Sequence, residues 1–148
     1  THVAGTLIAR GTSPNAKGGA YQASLAAYDW TNDEIEMQTA GSNGLLVSNH
    51  SYGLVTGFQW GDWSGTTGWH WVGQPTDLED REYGRYSDQA REWDLIANGN
   101  PNYLIVKAAG NDRGDGPNPG QTYYQLNSTL TAWVTTNMTR AVNGGTQG

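Results

Sequence analysis

Tyr103-Leu104-Ile105-Val106-Lys107-Ala108-Ala109-Gly110-Asn111 is the stretch from which the fold can be read. Three consecutive aliphatic residues after Tyr103, two of them β-branched, followed by small residues and a glycine, predict a strand that ends in a turn. Asn100-Pro101-Asn102 supplies the reversal before it. A continuous apolar run, unlike an alternating one, predicts a strand covered on both faces, as in a parallel sheet packed between helices. Such sheets place ligands just beyond the carboxyl ends of their strands, here Ala108 to Asn111. Small residues would let a ligand lie close to the backbone, and Asn111 would present a neutral amide donor at the mouth of the crevice.

Ala108-Ala109-Gly110-Asn111 resembles the oxyanion motif of the subtilisin-like serine proteases, and two other stretches resemble the same family in the same order. Thr1-His2-Val3-Ala4-Gly5-Thr6 is similar to the latter part of the family's His-Gly-Thr-His-Val-Ala-Gly-Thr motif. Asn49-His50-Ser51-Tyr52-Gly53, after Leu45-Leu46-Val47, is similar to its Asn-x-Ser-(aromatic or Leu)-Gly segment, a wall of the specificity crevice. Any one of these is weak alone. Three in order, each at an expected helix start or strand end, is a strong signal over roughly residues 1 to 116.

The resemblance implies a subtilisin-like three-layer α/β sandwich with a mostly parallel central sheet, incomplete in this chain. It implies a secreted, bacterial serine endopeptidase with peptide or protein substrates and no required cofactor. Asn111 would be the catalytic oxyanion donor; Ser51, Tyr52 and Gly53 would form one substrate-binding wall, and Ala108, Ala109 and Gly110 the other. The family's catalytic His would lie two positions before Thr1, and His2 matches the second, structural His. The catalytic Asp belongs to an earlier strand, and the nucleophile to a Gly-Thr-Ser-x-Ala-x-Pro motif expected after Gly148. Gly11-Thr12-Ser13 is followed by Pro14-Asn15-Ala16 and does not fit that motif. Residues 1–148 are therefore expected to be part of a catalytic domain, lacking the triad, with the remainder of that domain as partner. The plainer reading of Asn111 is a turn residue in left-handed geometry.

Composition narrows the alternatives. The 148 residues carry a formal charge of −6, with Lys17 and Lys107 as the only lysines, which argues against a nucleic-acid surface. No apolar run is long enough for a membrane span. The absence of cysteine excludes a disulfide framework and thiolate metal sites. His50 and His70 lack partners at metal-ligand or triad spacing and are expected in surface or loop roles. Glu79-Asp80 and Asp33-Glu34 are sequence neighbours at expected helix starts, so a glycosidase pair facing across a cleft is unsupported.

The remaining elements follow in order. Val3, Ala4, Leu7 and Ile8 predict a helix over residues 1–10, with Gly11 at its carboxyl cap and a second backbone packed close at Gly5. Residues 11–22 read as a loop, Ala23–Trp30 as a strand, and Asn32 as the cap of a helix through Ala40. Gly41–Gly44 turns into a strand Leu45–Ser48, and this alternation predicts parallel pairing. Residues 54–75, with Trp60, Trp63, Trp69 and Trp71 spaced by turn formers, read as a long loop tucked under its own tryptophans. A rim that stacks on peptide or sugar is the functional alternative. A helix is expected from about Asp80 to Asn98, with Ser87 capping its regular part and Gly99 ending it. Asp112 to Gly120 is turn chemistry. Asp112 and Asp115 could hold a structural Ca²⁺, although their spacing matches no recognised calcium loop. Tyr123–Thr136 suggests a β-hairpin, Gly144–Gly148 a loop, and Asn49, Asn127 and Asn137 begin glycosylation sequons. Two other functions remain open: a triad-less pseudoprotease retained for binding, and a Trp-rich carbohydrate-binding module.

Overall fold

The apolar spacing of the first residues produces helix α1, His2–Ile8, three residues shorter than expected. The structure is a computed structural model, and residues 1–139 are described; Gly144–Gly148 lies outside them. The chain divides into two units, Thr1–Leu45 and Leu46–Gly148.

In the first unit, α1 stops because Ala9 turns to extended backbone (φ −54°, ψ 128°), two residues before the left-handed Gly11. A helix leaves its last carbonyls without intrahelical partners. Here the returning loop fills them: Gly18, Gly19 and Ala20 N–H donate to the carbonyls of Ala9 (2.8 Å), Thr6 (3.1 Å) and Leu7 (2.7 Å). The close backbone approach expected at Gly5 is found at Gly18 instead. A Cβ at Gly5 would meet nothing within 4 Å, whereas one at Gly18 would sit 2.6 Å from Ala9 N and 2.7 Å from Ile8 N. Gly18→Ala should therefore separate loop from helix and destabilise this unit by about 1–3 kcal/mol, measurable by urea unfolding. Gly19→Ala, where a Cβ meets nothing, is the matched control and should cost less.

Ala23–Trp30 does not form the expected strand. It forms no regular element and is exposed throughout, with Leu25, Tyr28 and Trp30 open to solvent, because no neighbouring strand among the described residues offers it a ladder. Helix α2, Asp33–Ser42, follows. Its first turn collects Asp33, Glu34 and Glu36, the charges its positive end favours. Asn32 occupies the cap position in left-handed geometry (φ 58°) but caps nothing with its side chain; Asp33 Oδ1 accepts the Glu34 N–H instead.

The second unit contains two sheets. Strand β1, Val47–His50, begins two residues later than expected. It pairs in parallel with β4, Leu104–Lys107, in the register Val47↔Leu104 to His50↔Lys107. Helix α3, Asp88–Gly99, precedes β4 and is capped by Ser87, whose Oγ accepts the Ala90 N–H. Alternation along β1 and β4 puts Ser48, His50, Tyr103 and Lys107 on one face, against Trp93 of α3. The opposite face carries Val47, Leu104 and Val106 and is open. The expectation that β4 is covered on both faces is thus corrected: α3 covers one.

The second sheet has the order β2 (Phe58–Gly61), β3 (Gly68–Trp71), β5 (Thr122–Leu126) and β6 (Trp133–Asn137). Its β5–β6 hairpin is the one expected from Tyr123–Thr136. The β2–β3 hairpin replaces the long loop expected at 54–75. Phe58, Trp71 and Met138 form its core with Trp69 and Tyr123 packed against them. On the other face His70 is fully buried, stacked on Tyr124 at 4.9 Å and edge-on to Trp133 at 5.0 Å. Its Nε2 accepts the Ser64 N–H at 3.1 Å, which assigns the ring proton to Nδ1, 3.0 Å from the Gly68 carbonyl. The surface or loop role expected for His70 is therefore corrected: it is a core residue that pins the hairpin loop.

Residues 81–84 are turns and 85–87 form no regular element, in place of the expected first turns of α3, and Asp80 heads this segment in an Asx-type turn while its carboxylate ties it to Gly57. Its buried carboxylate accepts Gly57 N–H at 2.8 Å and Glu82 N–H at 3.0 Å. Beside it, burial raises the Tyr83 phenol above its usual value of 10.0, outweighing the opposing hydrogen bond with Thr56. The phenol is held neutral more firmly in the folded state than in the unfolded chain. Its contribution is complete below the unfolded value and is lost as pH climbs through the folded one. Tyr83→Phe should accordingly flatten the alkaline limb of a stability–pH profile above about pH 10 and leave the neutral region's pH dependence unchanged.

Candidate active site

Parallel pairing determines which loops meet. β1 and β4 run side by side, and Ala108 N–H extends their ladder by donating to the His50 carbonyl at 3.0 Å. Ser51-Tyr52-Gly53 and Ala108-Ala109-Gly110 therefore leave the same sheet edge as neighbours, about one strand spacing (~4.8 Å) apart. Gly110 then takes positive φ (97°), and Asn111 follows in a bend. Left-handed geometry thus belongs to Gly110 and not to Asn111, against the plainer reading of Asn111 as a left-handed turn residue. Asn111 is exposed, and its side-chain amide makes no hydrogen bond to another described residue.

The two segments differ. Ala108, Ala109 and Gly110 are exposed, as are Ser51 and Gly53; the Ser51 hydroxyl accepts from Asn49 Nδ2 at 2.9 Å. Tyr52 instead turns back beneath the sheet edge. Its hydroxyl lies 2.7 Å from His50 Nδ1, and its carbonyl accepts a hydrogen bond from Lys107 Nζ, which also lies 4.5 Å over its ring. His50 Nε2 is 2.6 Å from Ser48 Oγ, which accepts from the Tyr103 hydroxyl at 2.7 Å. Trp93 packs on the His50 ring at 4.7 Å. The surface role expected for His50 is corrected: the residue is buried, with hydrogen-bond partners on both nitrogens. Its role was readable from strand phase, because Ser48, His50 and Tyr52 share one face at a period of two.

Other candidates stand apart from this edge. His2 is exposed on α1. Asp112 and Asp115 belong to a turn closed by Asp115 N–H donating to the Asp112 carbonyl at 3.0 Å. Among the described residues no group of three or more His, Cys, Asp or Glu could hold a metal ion. A cavity of about 390 Å³ in the first unit, lined by Tyr28, Glu36, Thr39 and neighbours, contains none of the motif residues. On the aromatic hairpin, Trp60 and Trp69 meet edge to face at 5.3 Å, with Trp60 and Trp63 exposed.

With this arrangement established, the family comparison is decisive: the model of the Subtilase family matches residues 1–146. The chain belongs to the subtilase family. No curated protein and no solved structure gives a significant match. The family is one of serine proteases, which implies peptide substrates, and membership accounts for the α/β character and parallel β1–β4 pair as an incomplete subtilase-like fold. No helix among the described residues is long and apolar enough to cross a membrane.

Proposed function

We propose that this subtilase chain supplies the oxyanion hole and specificity-pocket walls of a secreted serine endopeptidase. Asn111 is the oxyanion donor, and Ser51–Gly53 and Ala108–Gly110 bracket the side chain preceding the scissile bond. The observation that carries this reading is the side-by-side emergence of those two segments from adjacent parallel strands, with Asn111 following the second. Amide hydrolysis by a serine nucleophile passes through a tetrahedral intermediate with a negatively charged oxygen. A donor aimed at that oxygen stabilises the transition state more than the ground state. An exposed carboxamide with no hydrogen bond to another described residue suits the task, since it donates at every working pH. Small walls leave a roomy pocket, suited to large apolar side chains.

The triad in this reading belongs to the remainder of the catalytic domain, so the 148 residues alone turn over no peptide. A fluorophosphonate probe, which labels only an activated serine, tests this when followed by intact mass. The complete protease should gain one adduct, and the isolated 148-residue chain none. Labelling of a serine within the isolated chain would overturn the assignment of the nucleophile. A complete protein that takes no label and cleaves no peptide would make the chain part of a binding protein instead.

A further inference from the structure

We infer that His50 is a positioning residue for substrate binding: through Tyr52 it holds the pocket wall Ser51–Gly53 in register with Ala108–Gly110. The inference rests on the protease reading above. The wall is a loop continuing from an edge position of a two-stranded sheet, and a loop there has few intrinsic restraints. Several contacts restrain this one, including Lys107 Nζ over the Tyr52 ring. Ala108 N–H donates to the His50 carbonyl, Lys107 Nζ donates to the Tyr52 carbonyl, and the Tyr52 hydroxyl meets His50 Nδ1. The first two hydrogen bonds fix backbone at the start of the wall. The third anchors the tip of the Tyr52 side chain, whose ring Lys107 also faces, and with it the path of Ser51 and Gly53 on either side.

His50 can hold Tyr52 because its own ring is immobilised. Ser48 Oγ takes Nε2 at 2.6 Å and Trp93 packs against the ring. Tyr103 OH donates to Ser48 Oγ, so the hydroxyl of Ser48 is free to donate to Nε2. That order leaves the imidazole proton on Nδ1, directed at the Tyr52 oxygen. A chain Tyr103–Ser48–His50–Tyr52 thus runs from the residue preceding β4 to the wall beyond β1, beneath the crevice. No member of it lies where a reacting atom would sit, so its effect falls on substrate affinity and not on the chemical step.

The test is steady-state kinetics of the complete protease on a peptide with a large apolar residue before the scissile bond. His50→Ala and Tyr52→Phe should each raise KM about tenfold with kcat within twofold. The double variant should be no worse than either single one, because both remove the same hydrogen bond. His50→Asn, whose amide can donate toward the Tyr52 hydroxyl, should recover part of the loss. Tyr52→Phe is nearly isosteric and keeps the test decisive should His50→Ala fail to fold. Unchanged KM in Tyr52→Phe of an active enzyme, or KM effects that multiply in the double variant, would overturn the inference alone. An inactive wild-type enzyme would overturn the protease reading with it.

Discussion

Gly57→Ala is expected to destabilise the protein by about 2–5 kcal/mol, the largest stability effect of any single methyl group considered. Two costs add. Gly57 has φ +67°, and an L-residue in left-handed geometry costs roughly 1–2 kcal/mol. A methyl there would also overlap the Tyr83 hydroxyl, and forcing an extra carbon into a filled site costs about 1–3 kcal/mol. Neither neighbour yields easily. Tyr83 is partly buried beside Thr56, while Gly57 is tethered on both sides, its N–H to Asp80 and its carbonyl to Val72 N–H. The shift in urea midpoint measures the total, which is a large share of the ~5–15 kcal/mol that holds a typical domain together. Tyr83→Ala separates the terms. In that background Gly57→Ala should cost only the backbone term, about 1–2 kcal/mol. Equal costs in both backgrounds would remove Tyr83 from the account, and a neutral Gly57→Ala would overturn it entirely.

Gly57 also illustrates what was legible in the sequence. Local signals read well where one short rule decides the outcome. The apolar run of β4, the Ser87 cap with Gly99 at the end of α3, and the Thr-, Tyr-, Val- and Trp-rich composition of Tyr123–Thr136 are of this kind. So were the three motifs, since each occupies a helix start or a strand end where backbone geometry constrains residue type. The β2–β3 hairpin was hidden because Gly, Ser, Thr and Asp around Trp60 to Trp71 have turn composition. Its strands are set by cross-strand contacts, Phe58 on Trp71 at 4.9 Å and Trp60 on Trp69. The true start of α3 at Asp88 lies at the Ser87 cap, and the segment before it is tied by Asp80 to Gly57, 23 residues earlier, a bond that no local window reports. Ala23–Trp30 fails in the opposite direction: its local pattern is strand-like, but a strand exists only with a partner. A lone histidine reads as polar in sequence, yet Tyr124 stacks on the His70 ring, Trp133 meets it edge-on, Ser64 satisfies Nε2 and the Gly68 carbonyl satisfies Nδ1.

At the candidate site, Asn111→Ala in the complete protease should lower kcat by about 10²–10³-fold, or 2.7–4 kcal/mol, the size found for the equivalent donor in a subtilisin. KM should hold, because the charge that the amide meets exists only once the tetrahedral intermediate forms. Stability should hold as well. Asn111 is exposed, its side chain has no hydrogen bond to another described residue, and the strained backbone position next to it is already filled by Gly110. Surface changes of that kind stay within about 0.5 kcal/mol. The combination distinguishes a catalytic donor from a turn former, since loss of a turn former would lower the melting temperature and leave kcat nearly intact. Asn111→Asp sharpens the distinction. It keeps the shape but replaces the donor by an acceptor that is negatively charged at neutral pH, so it removes the stabilising hydrogen bond and sets like charge beside the developing oxyanion. Its kcat should fall at least as far as that of Asn111→Ala, with the melting temperature again unchanged. A kcat within threefold of wild type in both variants would remove Asn111 from the mechanism, and the pocket assignment of Ala108–Gly110 would lose its anchor with it.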